Sequence, residues 1–533
     1  MKNNIPIILI ILDGWGIAKA SSGNAITTAR TPFFDYLKKT YPSTSIYAHG
    51  KYVGLPNKQD GNSEAGHLNI GAGRIVEQEA VRINSAIKKG LFYKNLAFLS
   101  AIHHAKKNKS NIHLMGLVSG VMSPHSLPDH LKALIELMKR EKFNNYFLHL
   151  FTDGRDSSQR SALKYITSIQ RDILGGEKKI STIMGRYFGM DRKKNWANTE
   201  LAYDALVSGT GKTAISPQAA ITQSYNTGLT DEFIEPFVMT ANKKQLPRIS
   251  DNNAIIFFNL RSDRARQLTK CFVQKEFEKQ NPNSFKRKKV LKNIKFITMT
   301  DFGPDLDSIK TAFPGVELIN TLPKAMEDHT QLYVAETEKY AHVTYFFNGG
   351  YSKPLNGEKW KVISSPNCKY YDEAPGMKST ELTELVINNL RHHSFKLTPI
   401  QKDGRIWHND FTVLNLAAPD MIAHTGNLKA GIQCCEITDS CLKQITKAYL
   451  QMKGTIIITA DHGNIEEMIN LKTDEIDTKH STNKVPFIII NKNLGNKIKL
   501  RSDGKLCDIA PTILHLTNTP KPKEMTGRSM IIK

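Results

Sequence analysis

The chain has 533 residues, of which 40% are hydrophobic and 23% charged. That balance excludes a mostly disordered chain, and the length predicts about two to four domains. The formal net charge is +23, yet the lysines are spread along the whole chain, which describes a solvated surface more than a nucleic-acid or membrane patch.

From the N-terminus, Ile5–Leu12 is strongly apolar except for Pro6 and stops abruptly at Asp13. Lys2 before it and Ala18-Lys19-Ala20 after it resemble the parts of a secretory signal. The run is at the short limit for such a segment, however, so a retained, buried strand ending at Asp13 and a cytoplasmic chain are expected. No apolar run approaches the roughly 18 residues of a membrane-spanning helix. Asp60-Gly61-Asn62-Ser63-Glu64-Ala65-Gly66-His67 is punctuated by glycine and leads into a helical pattern. Ser63 reads there as a helix N-cap, or as a hydroxyl nucleophile beside a metal at the helix N-terminus, and the two readings are compatible.

Further on, Ile112–Val121 precedes His125, and Tyr146–Phe151 precedes Asp153-Gly154-Arg155-Asp156. Gly185-Arg186 and Asp191-Arg192 follow. A helical pattern over Trp196–Val207 runs into Gly209-Thr210-Gly211-Lys212-Thr213. That segment is not a nucleotide phosphate loop, because Leu206 stands at the first glycine position and no strand precedes it. Ile255–Leu260 leads to Arg261-Ser262-Asp263-Arg264, and Phe296–Thr300 to Asp301. Between them, Lys286-Arg287-Lys288-Lys289 is the one compact basic run, expected as a surface loop. In the last third, Phe411–Leu416 runs into Ala418-Pro419-Asp420, and Thr455–Thr459 into Asp461-His462-Gly463; His480 lies in a Thr/Lys-rich loop before Phe487–Ile490. The six cysteines form no Cys-x-x-Cys pair, which fits a reducing compartment.

Short apolar strands alternating with helical patterns predict βαβ units and parallel sheets, whose ligands gather at the carboxyl ends of the strands. Both ends of the chain supply Asp and His there, while the middle supplies Arg and Asp. This predicts a discontinuous domain carrying an inserted one. Asp420 and His424, four apart, share one helix face. With Asp13, Asp461, His462 and His480 they make three carboxylates and three imidazoles, enough for two metals if Ser63 adds a ligand. The arginines are bidentate donors suited to an anionic substrate.

These motifs closely resemble those of cofactor-independent phosphoglycerate mutases in the alkaline phosphatase superfamily. The resemblance is carried by Ile8-Leu-Ile-Ile-Leu-Asp-Gly-Trp-Gly16, Gly61-Asn-Ser-Glu-Ala-Gly-His67, Thr152-Asp-Gly-Arg-Asp156, Gly185-Arg-Tyr-Phe-Gly-Met-Asp-Arg192, Asn259-Leu-Arg-Ser-Asp-Arg264, Thr337-Glu-Lys-Tyr-Ala-His342, Pro419-Asp-Met-Ile-Ala-His-Thr-Gly426 and Thr459-Ala-Asp-His-Gly-Asn464. It implies an α/β fold: an alkaline-phosphatase-like, metal-binding parallel-sheet domain formed by residues 1–78 and 315–533, with a second α/β substrate domain, residues 79–314, inserted. The linking strands near Arg74–Glu79 and Ser308–Pro314 would be hinges.

The resemblance further implies two manganese ions per chain, with zinc or cobalt as alternatives, and no organic cofactor. Asp420, His424 and His480 would hold one; Asp13, Ser63, Asp461 and His462 the other. His125, Arg155, Asp156, Arg186, Arg192, Arg261, Arg264 and Lys339 would bind substrate. Ser63 would become phosphoserine while 3-phosphoglycerate and 2-phosphoglycerate interconvert, with Asp156 as acid/base and Lys339 stabilising charge. The expected partner is this small molecule alone, without nucleic acid or membrane, and the expected state a monomer. The departures are Ala418 and Ala423 beside the metal helix, and two long segments, one around Lys286 and one over Gln401–Asn409. The rivals are a metal-dependent phosphomonoesterase or another phosphomutase of the superfamily, and a basic nucleic-acid-binding protein. The phosphohistidine route would need Arg-His-Gly, and the closest approach is Arg391-His392-His393.

Overall fold

The computed structural model describes residues 5–532 apart from 121, 122, 304, 316, 356, 395–409 and 493–497; Gln401–Asn409 thus lies outside the described residues. The chain divides into two compact units, Met1–Gln78 with Val316–Lys533, and Glu79–Gly315. Strands are numbered in chain order.

The first unit is built on a seven-stranded sheet, β13-β12-β14-β1-β15-β18-β2. Its strands are β1 (Ile7–Leu12), β2 (Ser43–Ile46), β12 (Gln331–Glu336), β13 (Glu358–Ile363), β14 (Phe411–Leu416), β15 (Thr455–Thr459) and β18 (Val485–Ile490). The apolar run after the N-terminus becomes the central strand: every residue of β1 is buried, between β14 and β15, both parallel to it. Unbroken Ile/Leu sequence is what a strand covered on both faces requires.

The run around Phe487 was expected among the parallel strands. Instead β18 lies antiparallel to β15 and to β2. A parallel neighbour needs a crossover that returns the chain to the other end of the sheet, usually a helix. After β15 the chain has only a loop with a small hairpin, β16 (Ile469–Asn470) and β17 (Glu475–Ile476), so it re-enters the sheet from the same end. That loop stays at the carboxyl ends of the parallel strands and carries His480.

The second unit has a nine-stranded sheet: β3 (Ile112–Val118), β4 (Tyr146–Thr152), β5 (Ile180–Gly185), β6 (Lys212–Ala214), β7 (Phe237–Ala241), β8 (Lys244–Gln245), β9 (Ala254–Phe257), β10 (Lys295–Thr300) and β11 (Ile309–Phe313). Strands β11-β10-β9-β3-β4-β5 are all parallel, and β7 turns antiparallel against β5. Alternate residues of β9 feed different cores: Ala254 and Ile256 pack with one cluster, Ile255 and Phe257 with the other.

The basic run near Lys286 departs from expectation. Lys286, Lys288 and Lys289 are exposed, but Arg287 is buried. Its guanidinium donates to the carbonyls of Cys271, Gln274 and Lys275, at 3.0 to 3.2 Å, and lies over the Phe277 ring. The loop is thus anchored by one of its own cations, which satisfies three carbonyls that no helix or sheet would. The helix Trp196–Val207 forms as predicted and is followed by β6. No helix among the described residues is long and apolar enough to cross a membrane.

Candidate metal centre and anion-binding cluster

In the first unit, Asp13 follows β1, Lys339 ends the turn after β12, Asp420 lies just after β14, and Asp461 and His462 follow β15. All stand at the carboxyl ends of parallel strands. Gly14 lets the first of these loops pass the third: its φ is +72°, and a Cβ there would lie 2.8 Å from that of Asp420. Ser63 is the first residue of the helix Ser63–Ala72. Its neighbour Asn62 is the N-cap, accepting from the Ala65 N–H, so Ser63 is not the cap and its hydroxyl is free to face the carboxylates.

Lys339 Nζ lies 2.7 Å from Asp13 Oδ1, 2.7 Å from Asp420 Oδ2 and 2.8 Å from Ser63 Oγ. Ser63 Oγ is also 3.0 Å from His462 Nε2 and 3.3 Å from Asp13 Oδ1. Asp420 and His424 meet on one helical turn, Oδ1 to Nε2, at 3.3 Å, and His480 Nε2 reaches the same oxygen at 3.3 Å. His462 and His480 stack with ring centroids 3.9 Å apart. Asp13, Asp420, His462 and Asp461 are all buried, whereas His424 is exposed on one side.

Burial opposes the charges here; it wins at His480, whose pKa it lowers, but at Lys339, Asp13, Asp420 and His462 the ion pairs win. Lys339 holds Asp13 and Asp420 well below the usual carboxylate range, and these carboxylates with Asp461 lift Lys339 well above the usual lysine range. Burial disfavours the His462 imidazolium, but Asp461, Asp420 and Asp13 raise it from 6.5 to about 9.

The donor set fits divalent cations. Asp420, His424 and His480 converge, as do Asp13, Asp420 and His462, and Asp13, His67 and Asp461. His424 Nδ1 contacts the Thr478 carbonyl and His480 Nδ1 the Gly61 carbonyl, each at 2.8 Å. A carbonyl can only accept, so each Nδ1 carries the proton and each Nε2 presents a lone pair. Those two Nε2 atoms face each other at 3.0 Å, an arrangement that only a cation or a shared proton makes favourable. Three carboxylates against the Lys339 ammonium and the His462 imidazolium still leave the pocket short of positive charge in the same place.

Three residues to which the sequence assigns no role complete this shell. Asn415 Nδ2 donates to Asp13 Oδ2 at 2.7 Å and lies 3.1 Å from His67 Nε2. His67 Nδ1 in turn lies 2.9 Å from the Ser63 carbonyl and 3.3 Å from Asp461 Oδ2. Asn464 Nδ2 donates to Asp420 Oδ1 at 2.8 Å. His67 and Asn464 stood inside quoted motifs, but nothing local marked them as partners of ligands.

The second unit holds a separate cluster. His125 lies beyond β3, Arg155 and Asp156 beyond β4, Arg186 directly after β5 and Arg192 further on, and Arg261 and Arg264 beyond β9. Arg186 is buried and donates to Asp153 and, at 2.6 Å, to Asp156 Oδ2. Arg192 pairs with Asp263, and Arg155 Nη1 lies 3.5 Å from Glu232. Burial, then the nearby Arg186, Arg192 and Arg155, lowers Arg264, as close packing of guanidinium groups demands. Burial and Arg186 push His125 down to about 4, so it is neutral at physiological pH. The buried Asp153, missed as a site residue, organises the cluster: it accepts Arg186, the Ser119 hydroxyl, and the backbone N–H groups of Arg155 and Asp156. The arrangement suits an anion, because guanidinium groups match carboxylate or phosphate oxygens.

The family model described as the N-terminus of BPG-independent PGAM matches residues 83–304. The 2,3-bisphosphoglycerate-independent phosphoglycerate mutase of Clostridium kluyveri is 44% identical over 531 residues, covering 99% of each chain. That of Methanosarcina barkeri named mutase 1 is 46% identical over 536 residues, covering 99% of this chain and 98% of the relative. Among solved structures, the phosphoglycerate mutase of Leishmania mexicana, crystallised at low cobalt concentration, superposes with a TM-score of 0.73 at 27% identity, covering 100% of this chain and 99% of that one. Identity at this level, sustained over nearly the whole length of both chains, places the chain in the family of 2,3-bisphosphoglycerate-independent phosphoglycerate mutases.

Proposed function

We propose that the protein is an isomerase that interconverts 3-phosphoglycerate and 2-phosphoglycerate through a phosphoserine at Ser63, without 2,3-bisphosphoglycerate. The observation that carries this reading is the Ser63 hydroxyl, set at a helix N-terminus 2.8 Å from Lys339 Nζ and 3.0 Å from His462 Nε2, amid buried metal-binding groups. Two manganese ions would be held by Asp420, His424 and His480, and by Asp13, Ser63, Asp461 and His462. Bound there, they would lower the pKa of the serine hydroxyl and neutralise charge on the phosphoryl oxygens.

Ser63 Oγ forms the new O–P bond as the bond from phosphorus to the glycerate oxygen breaks. Lys339 donates to the charge that develops, and the helix N-terminus adds its partial positive charge to the same place. The arginines of the second unit would serve the carboxylate of glycerate, and Asp156 would act as acid and base for its hydroxyl groups. The buried Arg186, 2.6 Å from Asp156, keeps that carboxylate oriented.

The test is conversion of 3-phosphoglycerate coupled to enolase, with no bisphosphoglycerate, before and after chelation and again with manganese, while free phosphate is followed. Isomerisation that stops with chelator and returns with manganese is expected. Phosphate release without isomerisation would instead make the protein a phosphomonoesterase.

A further inference from the structure

Among the described residues Glu466 forms no hydrogen bond with any of the proposed metal ligands, yet three loops that carry them close on its carboxylate. Oε2 accepts the Gly16 N–H at 3.0 Å and the Asn464 N–H at 2.8 Å. Oε1 accepts Asn483 Nδ2 at 2.9 Å and the Ser481 hydroxyl. Gly16 lies in the loop of Asp13, Asn464 in the loop of Asp461 and His462, and Ser481 directly after His480. The reach extends to a fifth proposed ligand, because Asn464 also holds Asp420.

The carboxylate is 2% exposed, and among the described residues no Lys or Arg forms an ion pair with it. A buried carboxylate answered only by neutral donors depends on every one of them. The surrounding sequence accommodates this closely: a Cβ at Gly16 would lie 2.2 Å from the Glu466 carboxyl group, and one at Gly463 would lie 2.3 Å from it. Ser481 N–H also donates to the Gly463 carbonyl at 2.9 Å, so the His462 and His480 loops are joined on both sides of Glu466.

We propose that Glu466 is a positioning residue for the metal centre, setting the relative placement of the Asp13, His462 and His480 loops and thereby the metal affinity. This rests on the metal-binding reading of the cluster. Glu466→Gln keeps the size of the side chain but turns one acceptor into an NH2 donor. That NH2 faces either the two backbone N–H groups, which cannot accept it, or the Ser481 and Asn483 side chains, which must reverse their hydrogen bonds to accept it, so the four-donor clasp is disturbed whichever way the amide turns.

The experiment is calorimetric titration of the chelated full-length protein with manganese, beside its thermal unfolding and its KM for 3-phosphoglycerate at saturating manganese. Glu466→Gln is expected to weaken manganese binding about 10- to 100-fold, with KM unchanged and the melting temperature of the chelated protein within a few degrees of the parent. Ser481→Ala, which removes one donor only, is expected to weaken binding several-fold in the same direction, and it decides the question if Glu466→Gln does not fold. Affinities within twofold of the parent overturn the proposal. So does unchanged affinity with a large drop in the chelated melting temperature, which would mark a merely structural role. A parent protein that takes up no manganese removes the metal-binding reading itself.

Discussion

Asn62 caps the helix and Ser63 begins it, and that single-residue offset gives Ser63 its chemistry. A capping serine would spend its oxygen on a backbone N–H, whereas this hydroxyl accepts from Lys339 and meets His462. Ser63→Ala is therefore expected to lower kcat by at least about 10^4-fold while 3-phosphoglycerate binding stays measurable by calorimetry. Near-normal turnover would end the phosphoserine route. His462 gives a prediction of sign. In the metal-free protein the carboxylates of Asp461, Asp420 and Asp13 outweigh burial and raise its pKa from 6.5 to about 9. A raised histidine contributes stability that is fully present below pH 6.5 and lost as the pH rises through about 9, up to about 3 kcal/mol. Metal binding requires the neutral ring, so metal uptake releases the proton and tightens over the same range. The urea midpoint of chelated protein is expected to fall between pH 6.5 and 9, and that of manganese-loaded protein to hold. Equal falls in both would show that His462 is not a metal ligand.

At the scale of elements, an apolar β-branched run that stops at a charged residue is a local signal, and it located the strands well. Phe411–Leu416 and Thr455–Thr459 have the same bounds in sequence and structure. Direction is different: β18 reads like its neighbours but is antiparallel, because the connection before it lacks a crossover helix. The basic loop fails locally for a similar reason, since nothing in Lys286-Arg287-Lys288-Lys289 distinguishes the cation that turns inward. Arg287→Ala leaves three carbonyls without their donor and removes the stem packed on Phe277. Thermal unfolding should show the second unit destabilised by about 2–4 kcal/mol, while Lys286→Ala, at an exposed neighbour, should change it by less than about 0.5 kcal/mol. Equal effects would mean that the buried guanidinium is not an anchor.

At the scale of the whole molecule, each unit has its own core: one cluster in the first, two on either side of the sheet in the second. Glu79–Gly315 expressed alone is accordingly expected to melt cooperatively and to bind no manganese, as read by scanning calorimetry and titration. Non-cooperative melting would show that its cores need the rest of the chain.

The sequence alone determined the residue types of the candidate ligands and arginines and the strand ends that carry them, because a hydrophobic run and the residue that ends it are adjacent in the chain. Only the tertiary structure decided which neutral and buried groups support them. Glu466 and Glu467 look alike in sequence, yet Glu466 alone meets Gly16, 450 residues away along the chain. Asn415, His67 and Asp153 acquire their roles in the same way, from contacts across strands. A hydrogen bond between distant segments leaves no local pattern, so it becomes legible only when folding brings its two ends together.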